Sequence, residues 1–199
     1  MGWIRRLYDW VLHWAETPYG TPALGALSFA ESSFFPIPPD PLLIALSLSA
    51  PRRAFLYAGV ASVCSVIGGL AGYGIGALAW DLLGQFFFNY LGPMGFTADN
   101  FELVRGKYEE NAFLAIFAAG LTPIPYKVFT VAAGVFSVSL GPFLLASVIS
   151  RSARFFGVAA LIWLFGPAIK IFIDRYFNLL TVVFFVLLAG GFLVIKYLL

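Results

Sequence analysis

The chain alternates between continuous apolar runs and apolar runs that prolines interrupt in the middle. Residues 23–50 are long enough to cross a bilayer at about 20 residues per crossing, but their centre reads FAESSFFPIPPDPLLIA. Proline cannot continue a helix, because it lacks the backbone N–H and clashes with the preceding turn. Broken backbone at membrane depth is tolerated only where protein buries it or where it lines a wet cavity. The pattern therefore predicts a re-entrant helical hairpin that carries Glu31 on its first limb, turns at PIPPDP and returns towards Arg52 and Arg53.

Residues 112–136 repeat this interruption, in the sequence AFLAIFAAGLTPIPYKVFTVAAGVF. The tripeptide PIP recurs at an offset of 87 residues, from Pro36 to Pro123, and this offset places Asp40 opposite Lys127. One spanning helix, residues 54–80, separates the two hairpins, so they are expected to enter from opposite faces. That arrangement is typical of an inverted repeat around a midplane site. The prolines expected at the two turns are Pro36, Pro38, Pro39, Pro123 and Pro125.

The remaining segments are interpreted as full spans, among them residues 140–165, or as surface elements. Gly68, Gly72 and Gly76 form a ridge on the first span that lets another helix approach closely, within the chain or between two chains. Tryptophans and Leu7 recur at helical spacing near the N-terminus, as in an interfacial amphipathic helix. The predicted fold is thus a single all-α, polytopic transmembrane domain over residues 1–199. Its parts are the amphipathic helix 1–17, repeat one 20–83, a polar connector with a mixed-charge surface helix 84–111, repeat two 112–168 and a C-terminal transmembrane helix 176–199.

Composition supports a membrane protein and excludes several function classes. Of 199 residues, 61% are hydrophobic and only 11% are charged, against about 25% charged in a soluble domain. A net charge of +2 is too small to indicate a nucleic-acid partner. One cysteine and one histidine exclude a disulfide framework and a Cys- or His-based metal site. With no recognisable catalytic or nucleotide-binding motif, we expect neither an enzyme nor a cofactor.

Five ionisable residues lie inside the apolar runs, namely Glu31, Asp40, Lys127, Arg151 and Arg154. Each costs about 2.5–3.5 kcal/mol at the bilayer centre on insertion scales, so each needs a partner. One interpretation is structural: the two acids neutralise the cations and fasten the hairpins together. In the other, three cations against two carboxylates leave one positive charge for a phosphate or another anion. Half-helices beginning after Pro41 and after Lys127 would add positive dipole ends at the same depth.

Arginine and lysine near the ends of the spans predict the orientation. One side is expected to hold Arg5, Arg6, Arg52, Arg53, Lys170 and Arg175, and the other Arg105, Lys107 and Lys196. Six against three favours a cytoplasmic N-terminus and an external C-terminus.

The two hairpin segments, together with RSARFFG, resemble the DedA (SNARE-associated, VTT-domain) membrane proteins over residues 20–170. The resemblance implies two inward-facing re-entrant hairpins in the bacterial inner membrane. It also implies movement of undecaprenyl phosphate or phosphatidylethanolamine between leaflets, coupled to protons. The family's essential acids correspond to Glu31 and Asp40, and its second-hairpin base to Lys127. The pattern departs at Leu121, where better-known members carry a further arginine, so substrate identity stays open.

The working hypothesis is a flippase- or scramblase-like lipid transporter. Lys127, Arg151 and Arg154 are expected to bind the lipid phosphate, Asp40 to position cations and Glu31 to carry a proton. Membrane lipids and protons are the expected partners, and a homo-oligomer stays open. A proton-coupled transporter of small ions or drugs is the first alternative. The second is a membrane scaffold without transport, in which exchanged charges, such as Asp40→Lys with Lys127→Asp, would restore function.

Overall fold

The computed structural model describes Trp14 and residues 17–91, 97–122 and 124–166. This part of the chain is all-helical and contains no strand, as predicted. Predictions for residues 1–17 (apart from Trp14 and Thr17), for Pro123 and for residues 176–199 fall outside the described residues. The helices are α1 (Gly20–Ser33), α2 (Asp40–Ser49), a 3₁₀ turn (Pro51–Arg53), α3 (Ala54–Leu91), α4 (Ala98–Glu110), α5 (Ala112–Leu121), α6 (Tyr126–Val135) and α7 (Leu140–Phe165).

Both predicted interruptions are confirmed as breaks between helices. Residues 34–39 separate α1 from α2, and α5 ends at Leu121, before α6 begins at Tyr126. We call α1–α2 the first broken segment and α5–α6 the second. The second helix of each begins earlier than expected, at Asp40 and at Tyr126. Pro41 fits inside the first turn of α2 because its missing N–H would have no partner there. Asp40 and Lys127 therefore both lie in the first turn of a helix.

Two stretches of helix are long and apolar enough to cross a membrane, Pro51–Phe86 with mean hydropathy 1.8 and Leu140–Phe165 with 1.5. Their length and composition support association with a membrane. The second matches the predicted span at both ends. The first belongs to a helix that continues to Leu91, eight residues beyond the predicted end of repeat one at residue 83. It continues because GQFFFNYL contains no proline and its isolated polar residues do not stop a helix.

Helix α3 lies at the centre and contacts α1, α6 and α7, while α5 packs on α7. The glycine ridge of α3 makes these close approaches possible. Gly68 faces the carbonyl of Phe29 in α1, and Gly76 faces that of Val131 in α6. Gly72 lies between the two, against Thr130 and the carbonyl of Ser32. The ridge is therefore used for packing within the chain, where it brings both broken segments onto one helix.

We expect Gly76→Ala to destabilise the protein by about 1–3 kcal/mol, the usual cost of overpacking a closely packed site. A methyl group there would overlap the Val131 carbonyl and push α6 away from α3. The matched control is Gly74→Ala in the same helix, where a methyl group would meet open space and helix propensity improves. Thermal unfolding in detergent should give a lower Tm for Gly76→Ala only. Equal Tm values would show that α3 and α6 do not approach this closely.

The predicted mixed-charge surface helix is confirmed as α4. Arg105 pairs with Glu102 at 3.4 Å and with Glu109 at 3.1 Å on its exposed side. On the inner side, the buried Tyr108 hydroxyl donates to the Phe129 carbonyl at 2.9 Å, and burial raises the pKa of Tyr108. Exposed ion pairs contribute about 0–1 kcal/mol, so α4 is held mainly by aromatic contacts, such as the stacking of Phe101 on Trp80 of α3 and of Tyr108 on Phe129 of α6.

Candidate functional site

The deepest charge in the described chain is Arg151 on α7, whose side chain is 1% exposed. Its Nη2 donates to Glu31 Oε2 on α1 at 2.8 Å, and Glu31 is 15% exposed. Its Nε donates to Ser65 Oγ on α3 at 2.6 Å. One arginine thus connects three helices. A buried ion pair such as Glu31–Arg151 is stable only with good geometry and further hydrogen bonds, because removing both charges from water costs free energy.

Two serines close a ring around this ion pair. Ser32 donates to Glu31 Oε2 at 3.2 Å, and its Oγ lies 2.7 Å from Ser65 Oγ. Since the Ser32 proton is directed to Glu31, Ser65 must be the donor in the second bond. Arg151 is therefore linked to Glu31 Oε2 in two ways. Its Nη2 donates to this oxygen directly, and its Nε is connected to it through the hydroxyls of Ser65 and Ser32. Oε2 of Glu31 thus accepts two hydrogen bonds, one from Arg151 and one from Ser32.

Aromatic rings cover the Arg151 guanidinium. Its Cζ lies 5.0 Å from the ring centroid of Tyr126 and 4.7 Å from that of Phe155. Both distances allow cation–π attraction, which strengthens when the cation is desolvated. The Tyr126 hydroxyl donates to Ser147 Oγ at 2.6 Å and so fixes its own ring. Arg151 is consequently a buried, positioned group with little contact to the outside.

Asp40 and Arg154 form the second ion pair, and it is more accessible. Arg154 Nε and Nη2 donate to the two Asp40 carboxylate oxygens at 3.2 and 2.8 Å, and both side chains are 21% exposed. Arg154 Nη1 donates to the Thr122 carbonyl at 3.1 Å. Arg154 thereby connects α7 to the breaks in both segments. Asp40, the first residue of α2, also has favourable interaction with the positive end of that helix.

Lys127 differs from the two arginines. Its Nζ donates to the Phe35 carbonyl at 2.9 Å, and among the described residues no carboxylate oxygen lies within 4.0 Å of it. It is half-buried in the first turn of α6, where the helix dipole disfavours a cation. Glu31 and Asp40 each form an ion pair with an arginine. The excess positive charge of the cluster formed by these two pairs and Lys127 is therefore located at Lys127. That position is the part of the cluster best suited to receive an anion.

Comparison with known proteins finds relatives of the same length range. A Haemophilus influenzae protein, described as uncharacterized, is 40% identical over 155 residues, which cover 78% of each chain. A Histophilus somni protein, described as an uncharacterized HI0703 homolog, is 41% identical over 149 residues, or 75% of each chain. The chain belongs to the same family as these two proteins. No family model matches the sequence, and no solved structure matches it.

The structure adds groups that the sequence reasoning did not single out, chiefly Ser32, Ser65 and Tyr126. Ser65 lies on the same face of α3 as the glycine ridge, three residues before Gly68, and this register could have identified it. Ser32 directly follows Glu31 in the sequence but had no distinguishing pattern. Among the described residues, no three His, Cys, Asp or Glu side chains come together as a metal site.

Proposed function

We propose that this protein moves a phosphate-bearing lipid between membrane leaflets, as the resemblance to DedA proteins implies. The observation that carries the proposal is Lys127, a half-buried cation without a carboxylate partner among the described residues, beside two acids that arginines already neutralise. A phosphate at Lys127 would remove the excess charge. It would also interact favourably with the N-terminus of α6, which disfavours the lysine alone.

The two ion pairs have different tasks in this proposal. Arg154 is accessible enough to turn its fork from Asp40 to a phosphate, since guanidinium binds both groups in the same bidentate manner. Arg151 stays buried and contributes positive charge from behind while it holds Glu31. Arg154 would release Asp40 when it binds the phosphate, and Asp40 would take Arg154 back when the phosphate leaves, so that the empty site forms again. Glu31 is the proton carrier in this proposal, and its protonation resets the site.

The membrane arrangement is also part of the proposal. We place both broken segments as re-entrant hairpins of an inverted repeat, in a polytopic protein of the bacterial inner membrane with a cytoplasmic N-terminus. The offset of 87 residues supports the repeat: it carries Asp40, the first residue of α2, onto Lys127, the second residue of α6. It also carries Ala54, the first residue of α3, onto Gly141, the second residue of α7. Helix boundaries thus recur together with the prolines.

The test is leaflet-to-leaflet movement of labelled phosphatidylethanolamine and undecaprenyl phosphate in proteoliposomes, with and without an imposed pH gradient. We expect movement of one of these lipids, accelerated by the gradient, and its loss in Glu31→Gln. Movement in Glu31→Gln equal to wild type would exclude the proton-carrier role. No movement of either lipid would contradict the proposal. Flux of a small ion or drug through the same proteoliposomes would then favour the solute transporter.

A further inference from the structure

An apolar groove follows the outer face of α1 and encloses about 720 Å³. Its floor is formed by residues at helical spacing on one face: Ala23, Ala26, Leu27, Ala30 and Phe34. Three of these five are alanines, whose small side chains leave the concavity open. The opposite face of α1 packs on α3 through Gly25 and the Phe29 carbonyl. The groove is therefore separate from the interior contacts of this helix.

One end of the groove lies next to the cluster of charged residues formed by the two ion pairs and Lys127. Phe35 lines the groove, and its carbonyl oxygen accepts the hydrogen bond from Lys127 Nζ at 2.9 Å. Leu42, two residues after Asp40, lines the same end. Trp14 and Tyr19 lie at the other end, beside the N-terminus of α1. The apolar groove thus extends to Phe35, the residue whose carbonyl binds Lys127.

The dimensions and chemistry of the groove restrict what fits it. Helix α1 has 14 residues and is about 21 Å long at 1.5 Å per residue. One leaflet contributes about 15 Å to the hydrocarbon core. A hydrophilic solute in such a groove would leave its polar groups without hydrogen bonds. A long hydrocarbon chain that ends in an anion fits this site, because the chain would contact the apolar walls of the groove and the anion would pair with Lys127.

We propose that this groove holds one hydrocarbon chain of the lipid whose phosphate binds at Lys127. The inference rests on the proposed function and extends it, because it specifies a chain-bearing phosphate rather than a free one. In this proposal α1 takes part in lipid recognition. Its alanine face binds the hydrocarbon chain, and the break after α1 places the phosphate at Lys127. The groove opens along the outer side of α1, so the lipid enters sideways from the bilayer.

The test uses phosphatidylethanolamine with a photoactivatable diazirine on one acyl chain, in proteoliposomes of the full chain, with labelled peptides mapped by mass spectrometry. Ala26→Trp fills the exposed floor of the groove without touching the charged cluster. Val63→Trp, on an exposed position of α3 outside the groove, is the matched control. We expect labelling of α1 to fall at least fivefold in Ala26→Trp and to stay at the wild-type level in Val63→Trp. Equal labelling of α1 in all three proteins would overturn the assignment.

Competition separates a lipid from free phosphate. Decyl phosphate should reduce the labelling of α1, whereas inorganic phosphate at the same concentration should not. Equal competition by both would assign the site to free phosphate and overturn the proposal. Lipid movement is measured on the same samples. Groove labelling that Ala26→Trp removes, without lipid movement in the wild type, would support the groove and contradict the transport proposal. If Ala26→Trp changes neither lipid movement nor the labelling of α1, the groove does not hold the chain, while the transport proposal stands.

Discussion

Replacing Arg151 with methionine is expected to lower the free energy of unfolding by about 3–5 kcal/mol, the usual cost of removing one partner of a buried ion pair. The guanidinium gives Glu31 its direct partner at 2.8 Å and gives Ser65 its Nε donor at 2.6 Å. Methionine has a flexible, apolar side chain that fills irregular gaps, so it retains contact with Tyr126 and Phe155. The loss therefore measures the ion pair rather than a cavity. Reversible unfolding in mixed detergent micelles gives the free energy.

Two variants make this result specific. Arg105→Met removes an arginine whose two carboxylate partners are exposed, and it should cost less than about 1 kcal/mol. Adding Glu31→Gln to Arg151→Met should recover part of the loss, because no charge is then left buried without a partner. If Arg151→Met costs no more than Arg105→Met, the buried pair does not form. If the double variant is less stable than Arg151→Met, Glu31 is held by other groups.

Local features of this fold could be predicted from the sequence. Proline stops a helix through its own backbone, so both breaks were predictable from the prolines themselves. The span Leu140–Phe165 was predictable because no proline interrupts it after its first turn and Gly166, whose φ is +51°, directly follows it. The end of α3 at Leu91 has such a signal too, since Gly92 and Pro93 directly follow it in the sequence, and the prediction that ended repeat one at residue 83 overlooked it.

The partners of the charged residues required the structure. The repeat places Asp40 opposite Lys127, and their charges suggest a pair, but Asp40 binds Arg154 instead. Equivalent positions in a repeat need not touch, since their contact depends on how the helices cross. The pairing of Glu31 with Arg151 spans 120 positions of sequence and depends on the glycine ridge that brings α1 onto α3. A charge exchange that tests the scaffold alternative should accordingly use Asp40 with Arg154.

Lys127→Ala is expected to reduce lipid movement about ten- to hundredfold while the protein stays folded. A hydrogen bond to a charged group contributes about 1.5–3 kcal/mol, and each tenfold change corresponds to about 1.4 kcal/mol. In the resting protein, Lys127 makes one bond, to the Phe35 carbonyl, whose loss costs about 0.5–1.5 kcal/mol. Lys127→Ala should therefore lower lipid movement strongly but lower the free energy of unfolding only slightly. The measurement pairs lipid movement in proteoliposomes with the Tm in detergent.

Lys107→Ala, on the exposed side of α4, is the matched control and should transport lipid like the wild type. Lys127→Arg should keep part of the activity, because arginine retains the charge and binds phosphate as a fork where lysine acts as a point charge. Wild-type movement in Lys127→Ala would mean that the phosphate does not bind at this lysine. A fall in Tm as large as that of Arg151→Met would make Lys127 a structural residue. Loss of movement with an unchanged Tm would show that Lys127 acts in transport rather than in folding, as expected if the lipid phosphate binds to it.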